Sequence, residues 1–439
     1  MMTHKISKII TCVTVGLIPF YFLRFDIFGL PTNVFEIAVL CAFLSTFYFL
    51  LSTKRPWRFG PIWPYLLLIA AGVGVYFAND LTSALGIIKG YFLAPLVLYW
   101  LIINLFIGHP RPDRGSNNSE KLLVDSRLHG NDKGESGNDK SDSTILSLSI
   151  PIYISTMLVA LWAIFQKLGV ITVLFYQKGD ASFAQYLEEH IRVFGPFESP
   201  NYLAMFLVPM ILLSIPLTTL IKDKYLKAAV AISLVLPFVA LLFSGSRAGM
   251  IAFLICAILA FTIKIRRSFQ VSNLLIFALA IMSVLVLVYY FAIIQFNANS
   301  DTVRVEIYRY SIEILKNNWL WGVGLGGFRE AIVSATANAE GFKTFALPYA
   351  LHPHNIFLAF WLNIGLLGLI IFLINIVIFV YRFLADKTRP LVYLCAFLAM
   401  MAILVHGMFD TTFFKNDLSA IFFLTLAIGT VYSDEKSKG

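Results

Sequence analysis

Apolar runs long enough to cross a bilayer dominate this chain, and they remove most soluble architectures at once. A helix of about 20 apolar residues spans the roughly 30 Å hydrocarbon layer. Twelve segments of the 439-residue sequence approach that length: residues 9–23, 34–51, 62–78, 85–107, 145–168, 202–221, 226–243, 248–263, 273–296, 355–381, 391–408 and 418–432. Within lipid every backbone N–H and C=O must be paired inside the protein, so each run is read as a helix. The expected fold is an all-α polytopic membrane bundle. Its composition, 59% hydrophobic and only 13% charged, is far outside the range of soluble domains.

An even number of spans places both termini on one side and assigns the loops alternately. The set of short loops that includes the termini holds Lys5, Lys8, Lys54, Arg55, Arg58, Lys222, Lys224, Lys227, Lys264, Arg266, Arg267, Arg382, Lys387, Arg389, Lys436 and Lys438. The opposite set holds only Arg24, Lys89, Arg247 and Lys415. The positive-inside rule therefore makes the termini cytoplasmic. The formal net charge of +9 is accounted for by these scattered flanking loops, so no nucleic-acid partner is expected. The first span has a basic start and no small-residue cleavage site, and is read as retained. Cys12, Cys41, Cys256 and Cys395 are widely separated within spans and carry no pairing signal.

The spans divide the chain into an N-terminal bundle (1–108), a polar insertion (109–143) and a second bundle (144–439). The insertion repeats Gly-Asn-Asp-Lys at residues 130–133 and 137–140 and cannot bury enough apolar surface to fold alone. It is expected to be a disordered cytoplasmic segment without chemistry. Two other long loops, 169–201 and 297–353, fall on the opposite face, which makes that face the candidate active surface.

Arg247 shares that face. It lies in Ser244-Gly245-Ser246-Arg247-Ala248-Gly249, between two apolar spans, and a permanent charge in such a place marks a functional site by default. In the 297–353 loop, residues 302–315 put Val305, Tyr308, Ile312 and Leu315 on one stripe, the spacing of an amphipathic helix on the membrane or the bundle. Arg304 in its first turn opposes the helix dipole, so it is either solvated or joins the helix end in holding an anion. Arg309 has Glu306 and Glu313 at helical spacing and reads as a structural ion pair.

Gly322, Gly324 and Gly327 formally satisfy G-x-G-x-x-G, but no strand precedes them and no βαβ unit follows. They read as a tight turn docking aromatic residues, with a backbone contact to ligand as the alternative. His352-Pro353-His354-Asn355 opens the tenth span. No third His, Cys or carboxylate stands nearby at ligand spacing and no D-x-D pair occurs, so neither a metal nor any other cofactor is expected. A helix N-terminus disfavours an imidazolium, which would leave His354 neutral and able to accept a proton. Equally, His354 reads as an interfacial residue capping the helix.

The order of these features is more specific than any one of them. Arg192-x-x-Gly195 with Pro200-Asn201-x-x-Ala204, then Ser246-Arg247-Ala248-Gly249, then Arg304 ahead of Trp321-Gly322-Val323-Gly324-x-Gly326-x-Phe328, then His354-Asn355 opening a span with Gly365 and Gly368, resembles the O-antigen ligase and polymerase family of bacterial membrane glycosyltransferases. The resemblance runs from about residue 192 to 410. Gly86-x-x-Lys89-Gly90-Tyr91-Phe92 is also similar to the family, whereas the 109–143 insertion departs from it.

That resemblance implies a bundle of the C-type glycosyltransferase kind with a periplasmic helical loop. It implies metal-independent transfer of a glycan from undecaprenyl diphosphate, in the bacterial inner membrane, with the active face periplasmic. By position, Arg247 and Arg304 would hold the donor diphosphate and His354 would serve the acceptor hydroxyl. Arg192 would assist at the diphosphate, with His352, Asn201, Asn355 and Lys89 in support, although Lys89 also reads as a lysine snorkelling to the interface. Guanidinium groups grip phosphate oxygens in a two-point fork, which is compatible with these roles. The implied acceptor is lipid A core, making the chain a ligase, or a second lipid-linked glycan, making it a polymerase. A protein acceptor is disfavoured, since the chain ends soon after the twelfth span. A transporter or flippase of lipid-linked glycan would also give many helices, but no repeat relates the two halves and no paired broken helices stand out. A structural envelope protein would need no His-Arg constellation.

Overall fold

The computed structural model describes residues 2–27, 30–106, 147–171, 192–265, 298–386, 388 and 390–436. The insertion at 109–143, the expected span 273–296 and most of the 169–201 loop lie outside them. Helix dominates the rest, consistent with lipid leaving the backbone no other economical way to pair its polar groups. In chain order the described α-helices of six residues or more are α1 (Met2–Gly16), α2 (Val34–Ser52), α3 (Trp63–Tyr76), α4 (Leu81–Ile87), α5 (Ala94–Phe106), α6 (Ser149–Lys167), α7 (Pro200–Ser214), α8 (Lys224–Ser233), α9 (Val235–Ser244), α10 (Arg247–Ile265), α11 (Ala298–Asn318), α12 (Phe328–Ala335), α13 (Glu340–Phe345), α14 (Ile356–Ala385), α15 (Leu391–Gly407) and α16 (Asn416–Lys436).

Six stretches among the described residues are long and apolar enough to cross a membrane: Val34–Ser52, Leu81–Phe106, Ser149–Lys167, Pro200–Leu220, Lys224–Ser244 and Ile356–Ala385. Four more apolar helices, Trp63–Tyr76, Arg247–Ile263, Leu391–Gly407 and Asn416–Tyr432, are shorter. The first expected span is divided, because α1 ends at Gly16 and a 3-10 turn, Ile18–Phe22, with Pro19 in its first turn, follows it. Large apolar side chains such as Leu40, Tyr48, Val235, Leu367 and Val377 point outward from these helices, as contact with lipid tails requires.

One departure from the all-helical expectation is a hairpin. β1 (Arg24–Ile27) pairs antiparallel with β2 (Leu30–Asn33), Arg24 opposite Asn33 and Ile27 opposite Leu30. Strands of four residues are too short for a period-2 pattern to show in the sequence. Asn33 closes the hairpin and caps α2, its side chain accepting from the Glu36 N–H at 2.9 Å.

The last helix is the axis of the bundle. Between Leu418 and Tyr432 α16 is buried all round, against α5, α15 and α7, so a helix apolar on every face finds protein rather than lipid on every side. α14 is broken at Ile364 and Gly365, the latter at φ +72° and ψ −179°. The backbone groups freed there are taken up by the glycine-rich turn. Val323 N–H donates to Leu362 O at 2.7 Å, Leu366 N–H to Leu320 O at 3.0 Å, and Gly326 N–H to the Asn363 side chain at 2.9 Å. Carbonyls of the packed chain fill the space where a side chain would start: a Cβ on Gly322 would meet Leu362 O at 2.3 Å and one on Gly324 would meet Phe77 O at 2.4 Å. Trp321 stacks on Phe77 with ring centroids 5.1 Å apart. The turn is thus an aromatic dock built on close backbone approach.

α11 corrects the expected stripe. Its buried side is Val303, Ile307, Ile314 and Leu315, which join Phe328, Ile332 and Phe342 in a small separate core. Val305 and Ile312 of the expected stripe are exposed, and only Leu315 is buried. Two apolar stripes compete on this helix, and packing against α12 and the start of α14 selects the second.

Candidate active site

Asp410, in the loop between α15 and α16, is the point on which the site converges. Its side chain is 5% exposed, and an isolated carboxylate would not be stable there without partners. Thr411 N–H donates to Oδ1 at 2.8 Å and Asn201 Nδ2 donates to Oδ2 at 3.4 Å. His354 Nδ1 lies 3.4 Å and His352 Nδ1 3.6 Å from Oδ1. Burial alone would raise the carboxyl, but the hydrogen bond and charge of His354, together with His352 and His406, outweigh it and hold Asp410 well below the usual carboxylate range. The carboxylate is ionised. It forms a fixed negative charge beside the His354 ring.

The sequence places His354 there by a strained turn. His354 sits at φ +51°, in the left-handed region that favours glycine, and Asn355 then caps α14 by accepting from the N–H groups of Phe357 and Leu358. The cap is Asn355, not His354. Tyr308 of α11 holds the strained backbone, its hydroxyl lying 2.7 Å from His354 O and 3.1 Å from Met408 O, while Asn355 Nδ2 donates to Met408 O at 3.2 Å. Burial pushes the Tyr308 phenol up to about 12, so it serves as a donor throughout the physiological range. The His354 ring thus presents Nδ1 to Asp410 and Nε2 toward Tyr349 O at 3.1 Å.

His352 packs its ring against that of His354, centroids 4.1 Å apart, with Nδ1 3.2 Å from the Thr411 hydroxyl. Although its edge reaches solvent, the crowding around its ring and the neighbouring His354 push it down to about 3. It is neutral near pH 7.

The arginines meet at a second carboxylate. Gly245, left-handed at φ +59°, ends α9, and Arg247 opens α10 two residues later. Arg247 grips Asp301 with both terminal nitrogens, at 3.0 and 2.8 Å, and Arg304 reaches the same Asp301 Oδ1 at 3.2 Å. Two guanidinium groups therefore converge on one anion. Arg304 and Tyr308 are one turn apart on α11, which ties this pair to the His354 backbone in a single site.

The remaining expected residues fall into place around it. Arg192 donates to Ser244 O at 2.8 Å and to Asn201 Oδ1 at 3.1 Å, and Asn201 passes that contact on to Asp410. Lys89 stands apart: it lies in a π turn, Ile88–Leu93, between α4 and α5, pairs with Glu36 at 3.0 Å and donates to Pro31 O. Its contacts are with the hairpin and the first turn of α2. Arg309 pairs with Glu306 at 2.6 Å, as its spacing predicts.

Residues 232–373 match the family model described as O-Antigen ligase. That stretch supports a relation to the O-antigen ligase family. It is a helical membrane protein. No curated protein matches the sequence. The matched part holds Arg247, Asp301, Arg304, Tyr308, His352 and His354, whereas Lys89, Arg192, Asn201 and Asp410 lie outside it.

Sequence reasoning missed Asp410, Asp301 and Tyr308. A lone acidic residue at the exit of an apolar helix was the available signal for Asp410, and its distance along the chain from the histidines hid the connection. The expectation that no carboxylate joins His352 and His354 is corrected by the fold, which brings one ligand atom from each of His352, His354 and Asp410 within 4.8 Å of one another. Edges of 3.4 and 3.6 Å are close to the roughly 3.3 Å of a tetrahedral site, so the three could hold a zinc-like cation with a position left open.

Proposed function

We propose that this chain transfers a glycan from a lipid diphosphate, read as undecaprenyl diphosphate, to an acceptor hydroxyl on the periplasmic side of the bacterial inner membrane. Glycosyl transfer of the O-antigen ligase or polymerase type is what the family implies. The observation that carries the finer reading is the pairing of an Asp410–His354 couple with a two-arginine anion site through Tyr308.

In the proposed step the acceptor hydroxyl takes the place of the Tyr349 carbonyl at His354 Nε2, its oxygen attacks the anomeric carbon, the bond from that carbon to the diphosphate oxygen breaks, and the acceptor proton passes to Nε2. Asp410 accepts from Nδ1–H, fixes the tautomer that leaves Nε2 free, and stabilises the imidazolium as it forms. Arg247 and Arg304 take the charge that develops on the departing diphosphate. Arg192 and Asn201 brace Asp410 from behind, a supporting role rather than a direct grip on the donor. No metal is required by this scheme.

Ligation to lipid A core is favoured over polymerisation. A polymerase must hold a second lipid diphosphate, and most of the other described cations of this face are engaged, Lys316 apart: Arg192 with Ser244 and Asn201, Arg309 with Glu306, Arg329 with the carbonyls of Leu347 and Ala350, and Lys343 with Glu340. The test is deletion in cells. A ligase defect strands long polymerised chains on the lipid diphosphate, whereas single repeat units accumulate if the chain is a polymerase. Normal surface glycan on a His354→Ala background would remove the histidine from the mechanism.

A further inference from the structure

Asp301 occupies the place that the proposed donor diphosphate would take. It accepts both terminal nitrogens of Arg247 and, on the same Oδ1, a nitrogen of Arg304. A carboxylate and a phosphate present matching oxygen pairs to a guanidinium fork, so the two compete for one geometry. Asp301 also lies on the open side: its side chain is 52% exposed, against 27% for Arg247 and 19% for Arg304. An anion arriving from outside therefore meets the carboxylate before it meets the arginines.

We propose that Asp301 is an internal anion that keeps the two arginines aligned until the donor diphosphate displaces it, and thereby sets how strongly a ligand must bind the arginines to enter. This rests on the donor-site reading of Arg247 and Arg304. With Asp301 in place the three side chains sum to a single positive charge. A monoanion that replaces the carboxylate restores the same balance and gains little. A diphosphate spans both guanidinium groups with more oxygens and at least two negative charges, so it gains on both counts. After transfer the released lipid diphosphate carries additional negative charge and would bind more tightly still, and the returning carboxylate competes it off. Asp301 is in this scheme a specificity and release residue, not a catalytic one.

The experiment measures binding of inorganic pyrophosphate and of orthophosphate to the purified full chain in detergent. Asp301→Asn keeps the shape and removes the charge. Two exposed ion pairs of ordinary strength amount to roughly a threefold to thirtyfold tightening of pyrophosphate at low salt. Orthophosphate should gain by a similar factor, since both ligands displace the same carboxylate, and the gain should shrink as salt screens it. Asp301→Glu should bind like the wild type, since it keeps the charge, and Asp301→Ser repeats the measurement if the Asn variant is unstable. Unchanged or weaker pyrophosphate binding in both neutral variants overturns the displaced-anion proposal while leaving the donor site standing. Wild-type-like binding by an Arg247→Ala, Arg304→Ala double variant instead overturns the donor-site reading itself.

Discussion

Replacing Asp410 by asparagine removes one charge from the buried end of the proposed relay and almost nothing else. The asparagine can still accept the Thr411 N–H that now binds Oδ1 at 2.8 Å, so the loop is retained. What is lost is the charge 3.4 Å from His354 Nδ1. At that separation a unit pair is worth about 5 kcal/mol at an effective dielectric near 20. That attraction acts most strongly on the imidazolium formed in the transition state. The amide can also present its N–H₂ to Nδ1 and select the tautomer whose Nε2 already bears a proton. We expect kcat to fall about a thousandfold, equivalent to roughly 4 kcal/mol, with the donor KM nearly unchanged because the arginine pair is untouched. The assay is single-turnover transfer from a lipid-diphosphate glycan by purified protein, with thermal melting as the control for folding. A folded Asp410→Asn protein with kcat within tenfold of wild type would falsify the relay.

Arg247→Lys keeps the charge but loses the two-point grip seen on Asp301, and transfer should fall at least about tenfold, or about 1.4 kcal/mol; near-normal rates would make the arginine a positional anchor. Tyr308→Phe removes the hydroxyl that restrains the strained His354 backbone, and the loss of one such bond, about 1 kcal/mol, should lower kcat roughly fivefold without weakening pyrophosphate binding. Because His352 is held down to about 3 from an ordinary 6.5, the unfolded chain binds its proton first. The stability this neutral histidine confers is therefore present above about pH 6.5 and lost progressively as pH falls toward 3, so melting temperature should drop on acidification and His352→Asn should flatten that slope. Transfer should survive a chelator, while added zinc should inhibit by occupying His352, His354 and Asp410; abolition by the chelator and rescue by zinc would reverse that assignment.

Much of the plan of this molecule is local and was therefore legible in the chain. Apolar length fixes the helices of the bundle, because lipid gives the backbone no other partner, and the small-residue hexapeptide at the start of α10 places Arg247 at the handover between two apolar helices. The pairing of Arg309 with Glu306 follows from spacing on one helix, since residues three apart are neighbours wherever the helix lies. The glycines of the 320–326 turn announce close approach, though not to what. Only the tertiary structure decided that their neighbours are the end of α3 and the break in α14, that α11 buries Ile307 rather than Ile312, that Asp410 closes on the histidines and that Asp301 closes on Arg247. Those contacts join groups far apart in sequence, and no periodicity encodes which buried carboxylate will face which cation. That choice is made when helices pack, by the cost of leaving a charge in a low-dielectric interior without a partner.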